Sequence, residues 1–404
     1  MKQITTILIL LYCLASNAQQ QMTVSGKIID AADNKPLRVS TVTTDDGQTA
    51  TVSNDDGIFR INVSSDTKNL IISRIGYKRR TVAINKRHDI GIIRLQSEAV
   101  NLGEIVVSTP IDIINEAILK ITDNYPVNPT LSDFFYRETT QKGNRYIYVA
   151  EAVGKMIKTS YKRSAATDRI FLTKGRRIIN MKEADTLGAK IQGGPNMAIV
   201  ADFVKNQDFI LSKELLEGYE FQMEYPEMVD GRLLTVISFT PKAQYENSFF
   251  NGKFYIDSET MAFIKADFNL DMNDKARATE YMLKKKPLGV RFKPKEMNTQ
   301  VYFITIDGKT YLHYISNRFV FKCDWKRKLF SQSFVAESEL VVTERKDDGK
   351  IIPPPVEVFR RDASLYDQIQ LFRDHEFWND YNVIPLTEKL INVVDKLYKK
   401  NKQR

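Results

Sequence analysis

The sequence predicts a mostly β protein with some α: an N-terminal β-sandwich followed by an antiparallel sheet domain capped by helices. Three observations carry this. Short alternating runs broken by Asp46-Gly47 and Asp56-Gly57 fill the first hundred residues. Asp230-Gly231, Asn251-Gly252 and Asp307-Gly308, dipeptides suited to two-residue hairpin turns, punctuate the later part. Helical periodicity stands out in two stretches, 110–123 and 386–398. A chain of 404 residues has room for two or three domains.

Residues 1–18 carry the marks of an export signal: Lys2, an apolar run from Ile4 to Leu14, and Ser16 and Ala18 in a small-x-small pattern. Cleavage is expected after Ala18. The run is about half the ~20 apolar residues a spanning helix needs. Tyr12 is bulky where lipidation of Cys13 would want a small residue. Loss of the leader leaves Cys323 alone, so packing and not a disulfide must hold the mature chain. No later stretch approaches a transmembrane segment. An exported protein is expected, in the periplasm or associated with the outer membrane or cell surface.

The formal charge is +9, from 59 Lys and Arg against 50 Asp and Glu. An exported chain does not meet nucleic acid, so the expected partners are envelope components: a lipid, a glycan or another surface protein. Lys284, Lys285 and Lys286 form a basic run that could meet an anionic headgroup. The other basic runs, 326–328 and 399–404, suit a solvated face.

Within the first hundred residues, "GIFRINV" alternates, and Phe59, Ile61 and Val63 form its buried face. Gly76 separates two further strands, at a bulge or a close backbone approach. "IGIIRL" supplies another strand. In order, "VSGKIIDAADNKPLRVSTV", "TVSNDDGIFRINV", "LIISRIGYKRRTV" and "NLGEIVV" resemble the carboxypeptidase-regulatory-like domain of Gram-negative envelope proteins. The resemblance implies a seven-stranded transthyretin-like sandwich over residues 19–107 that is not itself a peptidase. The same domain precedes the plug of TonB-dependent receptors, but a barrel of about 22 strands needs far more chain than remains. A stand-alone exported protein is the expectation.

Residues 108–404 form the second expected domain. Thr109 caps a helix with Pro110 in its first turn, and Ile114, Ala117, Ile118 and Ile121 make one stripe. "LSDFFYRETTQ" and "RYIYVAEAVGKMIKTSY" are expected to pair as a long hairpin. Gly193-Gly194-Pro195 stands before a possible short helix, where an anion could bind, or is a plain turn; with no apolar strand before it and no Lys-Ser/Thr after it, it is not a phosphate loop. Tyr302, Ile304 and Ile306 are apolar on one face and Val301 and Phe303 on the other. Strands of that kind are covered on both sides or curve around a cavity. "GKFYIDSETMAFIKADF" resembles the strand-turn-strand units of lipoprotein-carrier half-barrels. Leu386, Leu390, Val393, Val394 and Leu397 mark the apolar face of a C-terminal helix.

Catalytic residues are sparse. His88, His313 and His375 stand far apart in sequence, with no close ligand pair among them, and no G-x-S-x-G elbow occurs. Ten residues of strand separate His313 from Cys323, about 33 Å, too far for a dyad. No catalytic residue, metal or cofactor is assigned. Asp374, Glu376, Trp378, Asp380 and Tyr381 set aromatics beside carboxylates, as sugar faces require; Trp378, Tyr381 and Asp380 are the binding candidates. The alternative is that Trp378 and its neighbours plug the sheet. The expected function is a non-enzymatic binding or carrier module, its ligand an amphiphile or a glycan. A hydrolase of peptides or glycans with a dispersed site and a structural spacer are the alternatives.

Overall fold

The computed structural model of the protein describes residues 21–100, 108–162, 168–179, 194–242, 249–282, 289–325, 331–346, 351–371, 378 and 380–402. The export signal, Lys284, Lys285, Lys286, Asp374, His375 and Glu376 lie outside the described residues.

Seven strands open the chain: β1 (Gln21–Asp30), β2 (Thr41–Thr44), β3 (Ala50–Val52), β4 (Ile58–Ser64), β5 (Asn69–Arg74), β6 (Tyr77–Ala83) and β7 (Asp89–Leu95). They stack as two layers, β4-β1-β7 and β6-β5-β2-β3. The alternation in β4 works as the sequence implies: Phe59, Ile61 and Val63 are buried against Val24, Ile28, Val42 and Leu70. The Asp56-Gly57 turn admits no other residue at its second position. Gly57 sits at φ +75, and a Cβ there would lie 2.3 Å from the carbonyl oxygen of Ile28. Gly76, at φ +82, makes the tight turn between β5 and β6 and not a bulge.

The second part is built on a large sheet. Its strands are β8 (Thr130–Lys142), β9 (Arg145–Lys158), β10 (Arg169–Ile179), β11 (Tyr219–Met223), β12 (Glu227–Val229), β13 (Arg232–Pro241), β14 (Phe250–Asp257), β15 (Phe263–Leu270), β16 (Val290–Ile306), β17 (Lys309–Trp325), β18 (Gln332–Lys346) and β19 (Gln370–Leu371). The order is β19-β10-β9-β8-β18-β17-β16-β15-β14-β13-β12, and it runs on through Val229 beside Tyr77 into β6 of the sandwich. The helices are α1 (Pro110–Leu119), α2 (Ile121–Asn124), α3 (Gly194–Val200), α4 (Lys213–Leu216), α5 (Lys275–Met282), α6 (Leu365–Gln368) and α7 (Glu388–Lys402).

One turn assignment is corrected. Asn251-Gly252 is not a hairpin turn but lies inside β14, and the chain reverses at Ser258–Thr260 instead. Gly252 is needed there for space, since a Cβ would lie 1.8 Å from the carbonyl oxygen of Asp267 on β15.

Both faces of the central strands are covered. On one, Ile113, Ile114, Ala117 and Ile121 from α1 and α2 join Val301 and Phe303 in the main core. Phe203 fills its centre, with the rings of Phe254, Phe263, Phe268 and Phe303 at 5.3–5.9 Å. On the other face, Val39 and Val52 of the sandwich meet Phe135, Val153, Tyr314 and Val341 of the sheet, with Trp378, Val383 and Ile384 wedged among them. Helix α7 then lays Leu390 and Val394, flanked by Leu386 and Val393, on Val149 and Ile178. The side chain of Leu397 lies outside the described set.

Candidate functional site

The segment between Trp378 and α7 crosses from sheet to sandwich, and a buried ion cluster fixes it. Arg137 of β8 and Arg176 of β10 flank Glu151 of β9, at 2.6 and 2.7 Å. The Trp378 indole donates to the same carboxylate at 3.0 Å. Burial pushes the Glu151 carboxyl up, but Arg137, Arg176 and the indole outweigh it and hold it at about 2. Arg137 also donates to the carbonyl oxygen of Ile384 at 2.5 Å.

The sandwich grips the same strap through the stretch that forms its DDG turn. Asn54 donates to the carbonyl oxygens of Pro385 and Leu386 at 3.2 and 3.3 Å. The Asp56 carboxylate accepts from the backbone N–H of Glu388 at 2.8 Å, at the start of α7, where a negative charge is favoured. On the edge of β4, the Asn62 N–H donates to Asn382 Oδ1 at 2.6 Å, and Asn382 Nδ2 donates back to the Asn62 carbonyl at 3.3 Å.

Sandwich, sheet and strap together enclose a cavity of about 460 Å³. Its sheet wall is built from Asp133 of β8, its register partner Glu344 of β18, and Lys155 of β9, which pairs with Asp133 at 2.5 Å. Two β-bulges fall in this wall. Between Leu172 and Lys174, and between Val342 and Glu344, one residue is extra, and those residues, Thr173 and Thr343, both border the cavity. Bulges re-aim side chains in this way. Gly154 leaves the floor bare; a Cβ there would lie 2.0 Å from the carbonyl oxygen of Phe171.

A second cavity, about 570 Å³, lies on the other side of the β2–β3 turn, and Thr44, Asp46 and Gln48 of that turn border both. The turn is seated on the sheet, with the Arg345 N–H donating to the Gln48 carbonyl at 3.1 Å. In the second lobe the Lys265 ammonium lies over the rings of Tyr255 and Tyr302, at 4.4 and 5.2 Å, and pairs with Asp267 at 2.8 Å. Burial lowers the Lys265 pKa, but Tyr302, Asp267 and Tyr255 outweigh it and raise it above the usual lysine range.

Of the binding candidates, Asp380 and Tyr381 border the first cavity. Trp378 borders neither: it is 4% exposed, edge-on to Phe135 at 6.2 Å. Tyr381 rests edge-on against Trp378, also at 6.2 Å. Arg137, Glu151 and Arg176 were missed, although a charge inside the apolar runs "FFYRETT" and "YVAEAVG" signals a buried ion pair. His313 and Cys323 share β17 and are both buried. Burial, then Arg345, holds the His313 imidazole well below its usual range, and burial pushes the Cys323 thiol up to about 11. Among the described residues no cluster of three or more His, Cys, Asp or Glu could hold a metal, and no helix is long and apolar enough to cross a membrane.

The two-layer arrangement of β1–β7 and its glycine-dependent turn agree with a family match over residues 24–107. Those residues form a CarboxypepD_reg-like domain. No curated protein matches the sequence. Among solved structures, a DUF1329 family protein from Desulfovibrio piger shares 14% identity over 60% of this chain and 96% of its own, with a TM-score of 0.24. A LolA superfamily protein from Nitrosomonas europaea shares 13% over 61% and 96%, with a TM-score of 0.22. The Pseudomonas aeruginosa MucA/MucB complex gives 12% over 58% and 97%, with a TM-score of 0.19. Likeness this shallow carries no ligand or partner with it. The cleft lies where the CarboxypepD_reg-like domain meets the sheet.

Proposed function

We propose that the protein is an exported, non-enzymatic envelope protein that binds a polar ligand in the two-lobed cleft between its CarboxypepD_reg-like domain and its sheet. The observation that carries this reading is the construction of the first cavity, walled by sandwich, sheet and strap at once. Volumes of about 460 and 570 Å³ fall in the range of small-molecule sites, roughly 300–1,000 Å³. The helix side of the sheet is packed with phenylalanine rings, which favours the polar cleft over an acyl-chain carrier. The sealed imidazole of His313 and the raised thiol of Cys323 favour binding over catalysis. On this reading residues 1–18 are the leader, 19–107 the sandwich and 108–404 the sheet domain, in the periplasm or at the outer membrane.

Native mass spectrometry of the full chain purified from its own envelope tests this. A bound adduct is expected, and Gln48→Trp, which fills the boundary between the lobes from an exposed position, is expected to remove it without lowering Tm. No adduct on the wild-type chain would favour the spacer.

A further inference from the structure

We infer that the first cavity is a saccharide site, selective for short sugars without acidic groups. The inference rests on the binding reading above and gives it a ligand class. Three apolar side chains border the cavity, Val63, Phe134 and Val153, and none is more than 3% exposed. What a guest meets is therefore hydroxyl, amide and carboxylate, together with the half-buried ring of Tyr381.

Sugar hydroxyls both donate and accept, and so do the wall groups set opposite them. Thr173 and Thr343 supply hydroxyls from the two bulges, and Gln21 and Gln48 supply amides from the sandwich side. A peptide side chain would find no apolar recess here, whereas a pyranose carries its apolar C–H face on the ring itself. Tyr381, edge-on against Trp378 at 6.2 Å and with the Lys174 ammonium 5.6 Å from the centre of its ring, is the aromatic member of the wall for such a face, and Gly154 adds a stretch of wall without a side chain. The strap wall is preorganised, because Asn382 is tied at both ends of its amide to Asn62.

Charge selects within the class. Among the described residues Asp46, Asp133, Glu344 and Asp380 border the cavity; of the nearby cations, Lys155 is paired with Asp133 and Lys174 stands over the Tyr381 ring at 5.6 Å. The wall is thus negative although the chain as a whole carries +9. An acidic sugar, a sulfate or a phosphate entering it meets like charge and loses its hydration as well. The anionic headgroups and acidic glycans suggested by the overall basic charge do not fit this cavity.

The test is titration calorimetry of the full chain with cellobiose, N,N′-diacetylchitobiose and digalacturonate. At least one of the two uncharged disaccharides is expected to bind and digalacturonate is not. Tyr381→Ala is expected to weaken binding about tenfold, the loss of one ring contact, at a temperature where the variant, which also loses the packing of that ring on Trp378, is still folded by circular dichroism. Asp380→Asn, at an exposed position, is expected to weaken the exclusion of digalacturonate, with Asp46, Asp133 and Glu344 still opposing it. Equal binding of digalacturonate to the wild-type chain, uncharged binding unmoved by Tyr381→Ala, or no binding of any of the three overturns the inference. In the last case, an envelope adduct that Gln48→Trp removes leaves the binding reading standing and the saccharide alone refuted.

Discussion

The side-chain amide of Asn382 sits against the backbone of Asn62 as a neighbouring strand would, accepting from its N–H at 2.6 Å and donating to its carbonyl at 3.3 Å. Asn62 lies on β4, an edge strand of the sheet β4-β1-β7. One side chain, 320 residues away in sequence, thus satisfies an exposed edge and joins the two ends of the chain.

Asn382→Ala removes both of these hydrogen bonds to the Asn62 backbone. Asn382→Ala is expected to cost about 1–3 kcal/mol in urea unfolding and to speed hydrogen exchange at the Asn62 amide specifically. Unchanged exchange at Asn62 would show that the contact is incidental.

The ion cluster beneath the strap gives a larger effect. Glu151 lies between two buried guanidinium groups, so Glu151→Gln takes the carboxylate away from both Arg137 and Arg176 and leaves Arg137 to its second ion pair, with Glu339 at 2.9 Å. A loss of about 3–5 kcal/mol is expected. The sign of the pH effect follows from the lowered pKa. The stabilisation is fully present above pH 4.5 and is lost as pH falls toward about 2, where the carboxylate takes up its proton in the folded chain. Acid titrations of wild type and variant by circular dichroism should converge as pH falls through that window; parallel curves would remove Glu151 from the account.

Glu138 runs the opposite way. Burial raises its carboxyl from 4.5 to about 7, against the partial relief of hydrogen bonds from Tyr148 and Tyr136 at 2.6 and 2.9 Å. The folded chain therefore holds a proton that the unfolded chain releases, and the contribution to stability falls as pH rises from 4.5 to about 7. The difference between wild type and Glu138→Gln should change by roughly 3 kcal/mol across that window, with the variant gaining as pH rises. A difference independent of pH would mean that Glu138 is ionised throughout.

How much of this the sequence discloses depends on the range of the interaction. The sandwich was legible because its signals are local: alternation in "GIFRINV" selects the buried face, and Gly57 marks its turn. The cap at Thr109 and the stripe on α1 are legible for the same reason. Tyr381 and Asp380 stood out as aromatic beside acid, and both border the first cavity. Their neighbour Trp378 does not, because its indole is taken by Glu151, 227 residues away, and nothing nearby in the chain announces that partner. Thr173 and Thr343 were invisible for a related reason: a bulge is a property of two paired strands.

Asn251-Gly252 is the place where a local signal misleads, and it separates two uses of glycine. Gly231 sits in a true turn at φ +76 with open space where a Cβ would go, so Gly231→Ala costs only the left-handed backbone, about 1–2 kcal/mol. Gly252 carries no such backbone, but a Cβ there would lie 1.8 Å from the carbonyl oxygen of Asp267 and 2.7 Å from the Phe239 ring. The first of these is backbone and cannot swing aside. Gly252→Ala must therefore push β14 from β15 in the middle of the sheet, at a cost at or above the roughly 3 kcal/mol upper end for overpacking. Urea unfolding of the two variants ranks them: Gly252→Ala is expected to be the more damaging, and the reverse order would return Asn251-Gly252 to a turn.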